Sequence, residues 1–376
     1  MIKRNVLLNP GPATTTESVK MAQVVPDICP REKEFVAVMR EVEAGLVKIV
    51  HGNLNQHAVV MFCGSGTINM DICLNSLLPT DKKILVINNG AYSGRAVEIC
   101  EFYHLPHINL RMPIDKQPDL KKVEEVLTDN EDIALVYITH HETGTGLLNP
   151  IRELGALVHQ HNAVFVVDTT SSFAMRPINM EEDHIDFCMA SAQKGIMAMT
   201  GLTFIIGNRS IIEESAQYPT RSYYCNLYMQ YQFMKQNGEM HFTPPVQVVY
   251  AARQGLIEYF EEGEQKKWER HKEVYQTIRE GLLKLGFEIF ISDEISAGLV
   301  VAAMYPNDPN WDFEKIHDYC YERGYTIYPG KVEKKGMFRL CALGAITKKD
   351  IEEFFPVFES ALQKNNVKTP VTYEER

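Results

Sequence analysis

Between residues 58 and 206 this chain alternates short β-branched runs with amphipathic stretches, and that alternation limits its fold more than anything else in it. The runs are AVVMF (58–62), KILVIN (83–88), IALVYIT (133–139), AVFVVD (163–168), DFCMAS (186–191) and TFIIG (203–207). They show little inside–outside alternation, the pattern of strands buried on both faces. Between them, SGRAVEICEFYH (93–104) and DLKKVEEVLTDN (119–130) read as helices, the second with Leu120, Val123, Val126 and Leu127 on one face. Strand and helix in turn predict an α/β fold: a mainly parallel sheet with helices on both faces, three layers in all.

A further helix is predicted over 32–50, ahead of this region, and others over 245–263 and 266–286 behind it. Then come strands at 298–305 and 337–343, a helix at 313–324, and a last helix at 348–364 that Pro356 interrupts. The expected division is a large domain over 16–264 and a smaller α+β C-terminal domain over 265–376, with the N-terminal segment 1–15 folding back to join them.

With 38 Lys and Arg against 49 Asp and Glu, the net charge of −11 argues against a nucleic-acid partner, which calls for a basic face. No apolar stretch is long enough to span a membrane, and the N-terminal run is short and cut by Pro10 and Pro12. Eight scattered cysteines without a C-x-x-C pair fit a reducing compartment, so a cytoplasmic location is expected.

In an open α/β sheet, ligands gather beyond the carboxyl ends of the strands. CGSGT (63–67) follows the first run, and Gly64, Ser65, Gly66 and Thr67 lead into a helix whose free N–H groups suit a single phosphate. The same residues also serve as an ordinary capped turn. Asp168 ends AVFVVD, where a carboxylate needs a partner, either a structural hydroxyl or a protonated ring nitrogen on a ligand. Lys194, in SAQKG, follows the next strand among small and apolar residues, where desolvation makes an amine a nucleophile toward carbonyls. An anion cradle, a strand-end Asp and a strand-end Lys together match pyridoxal phosphate.

Ten motifs in order then carry a resemblance across nearly the whole chain: LLNPGP (7–12), DICPREKEF (27–35), CGSGT, NNGAYSGR (88–95), HETGTGLLNPI (141–151), VVDTTSSF (166–173), SAQKG, HFTPP (241–245), IYPGK (327–331) and FRLCALG (338–344). The chain resembles the class V aminotransferases of the fold-type I pyridoxal-phosphate enzymes. The resemblance implies pyridoxal 5′-phosphate as cofactor, with Lys194 on its aldehyde and Asp168 on its ring nitrogen. It further implies Tyr92 stacked on the ring, Ser65, Gly66, Thr67 and Gln193 on the phosphate, and Thr143, Thr145 and Thr170 around the ring. Thr243 would reach the phosphate of a neighbouring subunit in a homodimer, and Arg339 would bind the substrate anion. Within the family the motifs lie nearest enzymes that pass an amino group from 2-aminoethylphosphonate to pyruvate, in phosphonate metabolism. Transamination between serine or alanine and glyoxylate or pyruvate is the alternative, and a non-catalytic phosphate-ligand protein a remote one.

Two positions depart from the family pattern: Gly144 stands where Thr or Ser is expected, and Met240 replaces an aromatic residue. A cysteine desulfurase is disfavoured, because Gln193 rather than His precedes Lys194 and Cys341 lies in an apolar strand. His140 and His141 are adjacent and belong to no H-E-x-x-H motif, so no metal is expected, although His141 is placed to line the cofactor pocket. Arg31 and Arg221 are candidates for a second cation on the phosphonate.

Overall fold

The computed structural model describes residues 4–332 and 335–373; the outermost residues of the expected division, 1–3 and 374–376, lie outside the described residues. Among the described residues the central sheet has seven strands: β1 (His57–Gly64), β2 (Lys83–Asn88), β3 (His107–Arg111), β4 (Ile133–Thr139), β5 (Val164–Asp168), β6 (Phe187–Ser191) and β7 (Gly201–Asn208). Their order across the sheet is β1-β7-β6-β5-β4-β2-β3. The pairings from β6 to β3 are parallel, and β7 runs antiparallel to both of its neighbours. Every predicted run falls in a strand of this sheet. The strand that the sequence pattern did not reveal is β3, HINLR, which is half-buried at the sheet edge and so carries no apolar run.

Two helices start at the carboxyl edge of this sheet. The first is α1 (Gly66–Ser76), directly after β1, and the second is α2 (Ala91–Phe102), directly after β2. Farther along the chain, the long helix α3 (Glu264–Lys284) leads into a three-stranded antiparallel sheet of β8 (Val300–Met304), β9 (Tyr328–Val332) and β10 (Lys335–Cys341), with β10 in the middle. The last helix, Lys348–Lys364, opens on a capping box between Thr347 and Asp350 and runs through Pro356 without ending. Pro356 lies on its exposed face, where the carbonyl that proline leaves unbonded can meet water.

Most buried apolar residues among those described fall in a large cluster spanning Val19 to Tyr259 or a smaller one from Val274 to Val371 that also takes in Val6 and Leu8; two minor clusters remain, one of which joins Ala13 and Met175 to Leu299 and Cys341. The N-terminal segment reaches the smaller cluster by pairing Val6 and Leu7 with Tyr325 and Thr326. No helix among the described residues is long and apolar enough to cross a membrane.

Candidate active site

The carboxyl ends of β4, β5 and β6 lie side by side, since Thr139 is in register with Asp168 and Asp168 with Met189. Beyond them is a cavity of about 150 Å³ walled by residues from five segments of the chain. Asp168 and Thr170 enter it from the end of β5, and Gln193 and Lys194 from the end of β6. Gly66 and Thr67 enter from the start of α1, Tyr92 from the start of α2, and Thr143 with His141 from the loop after β4.

Asp168 is buried, with one oxygen accepting the Thr170 N–H at 2.8 Å and the other the Tyr137 hydroxyl at 3.3 Å. Burial pushes its pKa up, and these neutral donors only partly oppose that. A carboxylate so placed is suited to a cationic N–H on the cavity side. Lys194 donates to the Pro10 carbonyl, and a methyl group at Gly11 (φ +130°) would overlap the lysine side chain. LLNPGP is therefore a segment laid across the lysine, close enough that only glycine fits. Burial lowers the Lys194 pKa, with Arg339 adding to the effect and Cys341 and Asp168 opposing it, so its amine is more easily neutral than a surface lysine.

The phosphate-sized end is the N-terminus of α1. Ser65 is exposed at its N-cap, and its hydroxyl makes no capping bond to its own helix. A Cβ at Gly66 would come within 2.9 Å of Thr170, so glycine lets the helix start pack against the end of β5. Among the described residues, buried Gln193 makes no side-chain hydrogen bond, and its Oε1 has no partner. The chemistry of this wall fits pyridoxal phosphate: helix N–H groups and an uncommitted amide at one end, a carboxylate and an amine at the other.

The sequence pattern did not single out two side chains that shape this cavity. Glu142, fully buried, accepts the Ser93 N–H at 2.9 Å, the Ser93 hydroxyl at 2.7 Å and the Tyr92 N–H at 3.2 Å. It caps α2 from a distant loop and thereby fixes Tyr92; a methyl group at Gly90 would overlap its carboxylate. Arg95 lines the cavity, donates to the Thr67 hydroxyl at 3.1 Å, and has its guanidinium carbon 5.0 Å from the centre of the Tyr92 ring. Its place three residues after Tyr92, on the same helix face, was the available signal.

His141 presents its Nε2 without a partner, while Nδ1 lies 3.4 Å from the Ser171 carbonyl. Nδ1 is therefore the protonated nitrogen, and Nε2 offers a lone pair to a ligand hydroxyl. Burial lowers the pKa of both His140 and His141 to about 3. Between pH 6.5 and about 3 the unfolded chain binds protons at these rings that the native protein refuses. Stability should therefore decrease as pH is lowered through this range, by about 1.4 kcal/mol per unit for each ring. The raised carboxyls of Asp168 and Glu142 act in the opposite sense above their ordinary values of 3.8 and 4.5. Urea unfolding at pH 7, 6 and 5 should show the decline, and His140→Gln should flatten it; an unchanged slope in the variant would contradict this account.

Four expected site residues lie off the cavity wall. Ser65 stands at its rim. Thr145 is buried in the turn, with its hydroxyl within 3.4 Å of the Glu142 carbonyl and 3.3 Å of the Leu147 N–H. Thr243 is exposed, and Arg339 approaches from β10. Arg339 donates to the Thr143 carbonyl and the Pro329 carbonyl, both at 3.0 Å, and its buried Nε has no partner among the described residues.

Arg31 pairs with Glu239 at 2.8 Å and donates to the carbonyls of Met240 and His241. Arg221 donates to the carbonyls of Asn75 and Leu78 and lines a different hollow. Neither reaches the cavity. At Gly144 an added Cβ would meet only Ala91, at 3.8 Å, so packing there does not demand glycine. Burial pushes the Cys341 thiol up to about 12, which suits packing rather than nucleophilic attack.

The family model described as Aminotransferase class-V matches residues 16–306. The chain is 34% identical over 362 residues to the 2-aminoethylphosphonate–pyruvate transaminase of Lysinibacillus sphaericus, a match covering 96% of this chain and 98% of that one. It is also 34% identical to the bifunctional phosphonoacetaldehyde hydrolase/aminoethylphosphonate transaminase of Clostridioides difficile, over 96% of this chain but only 56% of that longer protein. Among solved structures it is similar to the ureidoglycine–glyoxylate aminotransferase of Bacillus subtilis, with a TM-score of 0.89 and 20% identity over 98% of this chain and 95% of the other. The alanine–glyoxylate aminotransferase of Nostoc sp. also gives 0.89, at 21% identity over 96% of each chain. At such identities the likeness carries the fold alone, and it bears out the expected α/β aminotransferase architecture.

Proposed function

The chain belongs to the class-V aminotransferase family, and from that premise we propose that it transfers the amino group of 2-aminoethylphosphonate to pyruvate, giving phosphonoacetaldehyde and alanine. The observation that carries this reading is the convergence of Asp168, Lys194 and the start of α1 on one cavity, with Arg339 donating to the backbone of its wall. The full-length similarity to a 2-aminoethylphosphonate–pyruvate transaminase supports the substrate pair; the glyoxylate enzymes are similar in fold only.

Bound pyridoxal 5′-phosphate supplies an aldehyde that takes up amines and a ring that takes up electrons from the substrate carbon. The chain's residues do the rest. Asp168 would hold a proton on the cofactor's ring nitrogen, and Tyr92, fixed by Glu142, would lie against the ring. Ser65, Gly66, Thr67 and Gln193 would hold the phosphate, and Thr143 and Thr170, with Thr145 behind them in the turn, would border the ring. Lys194, its amine made easier to deprotonate by burial, would be the group that holds the aldehyde, and its amine would serve as the base and acid beside the substrate carbon. Arg339 holds the anionic group of each substrate in turn.

We extend the proposal to a cytoplasmic homodimer, in which exposed Thr243 serves the phosphate of the second copy. The two apolar clusters support a division into 16–264 and 265–376, joined by 1–15. The test is a donor panel with pyruvate as acceptor, following alanine formation from 2-aminoethylphosphonate, taurine and serine. 2-Aminoethylphosphonate should exceed the others in kcat/KM by tenfold or more; a higher value with serine would overturn the substrate assignment.

A further inference from the structure

Outside the cavity, the side chain hardest to explain by packing is Lys267, near the start of α3. It is 1% exposed, its Nζ donates to the Gly195 carbonyl at 2.6 Å, and it lies 5.1 Å from the centre of the Tyr259 ring. Among the described residues it makes no ion pair, although Glu262, Glu258 and Arg270 act on it at longer range. Burying an ammonium costs several kcal/mol, so a leucine or methionine would fill this space more cheaply. What the lysine adds is a donor that reaches one particular carbonyl.

That carbonyl belongs to the residue directly after Lys194. A side chain at Gly195 would overlap the Phe173 carbonyl, so this peptide is confined by Phe173 and gripped by Lys267. The same face of α3 also holds the turn that follows β10. Arg270, clamped by Glu262 at 2.6 Å, donates to the carbonyls of Gly344 (3.0 Å) and Ile346 (2.9 Å), in the turn just past β10. His271, fully buried, lies 2.7 Å from the Lys267 carbonyl and 3.3 Å from that of Gly344. Positions 267, 270 and 271 share one helix face, so a single rigid element touches both the Lys194 peptide and the turn behind the Arg339 strand.

We infer that Lys267 is a positioning residue: a buried brace that sets the amine of Lys194 at a fixed distance and angle from Arg339. The inference rests on Lys194 being the lysine that bonds the cofactor. A small misplacement of a reacting amine slows chemistry far more than it weakens binding. The binding groups themselves stay in place when Lys267 is removed.

The experiment uses the full chain loaded with pyridoxal 5′-phosphate and compares the parent with Lys267→Met. The pH midpoint of the visible absorbance band reports the surroundings of Lys194, and kcat, KM and melting temperature are read alongside. The expected result is a midpoint shift of about half a pH unit or more and a five- to twentyfold lower kcat, with KM for both substrates within twofold. A merely structural lysine would change the melting temperature and leave the midpoint alone. Lys267→Gln, which keeps a donor on a shorter arm, should fall between the two and carries the same test if the methionine variant does not fold. Parental midpoint and kcat in a folded variant would overturn the brace. A parent that stays colourless with added pyridoxal phosphate would instead sink the reading of Lys194 itself.

Discussion

Lys194→Ala is expected to lower turnover by about three orders of magnitude or more while leaving the fold intact. The side chain has two jobs in this cavity, and alanine does neither. In the proposed reaction its amine would bond the cofactor aldehyde, and burial favours the neutral form that this needs. It would also serve as the general acid and base at the substrate carbon, a role for which positioned side chains typically supply about 10²–10⁴-fold. Truncation also removes the donor to the carbonyl of buried Pro10, which costs about 1–3 kcal/mol, a small effect beside the loss of turnover. Single-turnover absorbance with 2-aminoethylphosphonate would measure the drop, and added methylamine should restore a small part of the rate by standing in as the base. A variant that turned over at the parental rate would remove Lys194 from the chemistry.

Asp168 and Lys194 were legible in the sequence because each directly follows an apolar run, and strand ends in a parallel sheet all face the same way. The start of α1 was legible for a similar reason, since small residues before a helix leave its N–H groups accessible. Edge strand β3 was not, because half-buried residues such as His107 and Asn109 have no need to be apolar. Glu142 caps a helix 50 residues earlier in the chain, a contact made by tertiary folding and written in no local pattern. Lys267 was hidden for the opposite reason. It sits beside Lys266 in a strongly polar helix, where nothing in the sequence separates a buried lysine from an exposed one. Arg31 and Arg221 looked like anion ligands because an isolated arginine in a motif invites that reading. Their guanidinium groups are instead committed to backbone carbonyls that hold loops in place.

With those two arginines committed elsewhere, Arg339 is the residue we propose for anion recognition, and Arg339→Ala is expected to depress both half-reactions. A transaminase of this kind works by ping-pong, so a phosphonate and a carboxylate occupy the same site in turn. A planar guanidinium can meet two oxygens of either group through charge-assisted bonds. Nη1 and Nη2 hold the carbonyls of Thr143 and Pro329, which fixes the plane of the group, and the buried Nε is left with a donor to offer. The Tyr328 ring, centred 4.9 Å from the guanidinium carbon, supports it from one side. Losing such a partner from a buried site costs about 2–5 kcal/mol, which is roughly 30- to 4,000-fold in kcat/KM. Part of that loss is conformational, because the carbonyl of cavity-lining Thr143 is released with the arginine. Arg339→Lys keeps the charge but not the fork, and should recover only a minor share. Arg95, at the Thr67 end of the cavity, should behave differently: its removal should weaken binding of pyridoxal phosphate more than binding of pyridoxal. Single-turnover spectra of each half-reaction separate these cases. Arg339→Ala with both half-reactions at parental rates would leave this pocket without an anchor for either substrate, and the assignment of Arg339 would be lost.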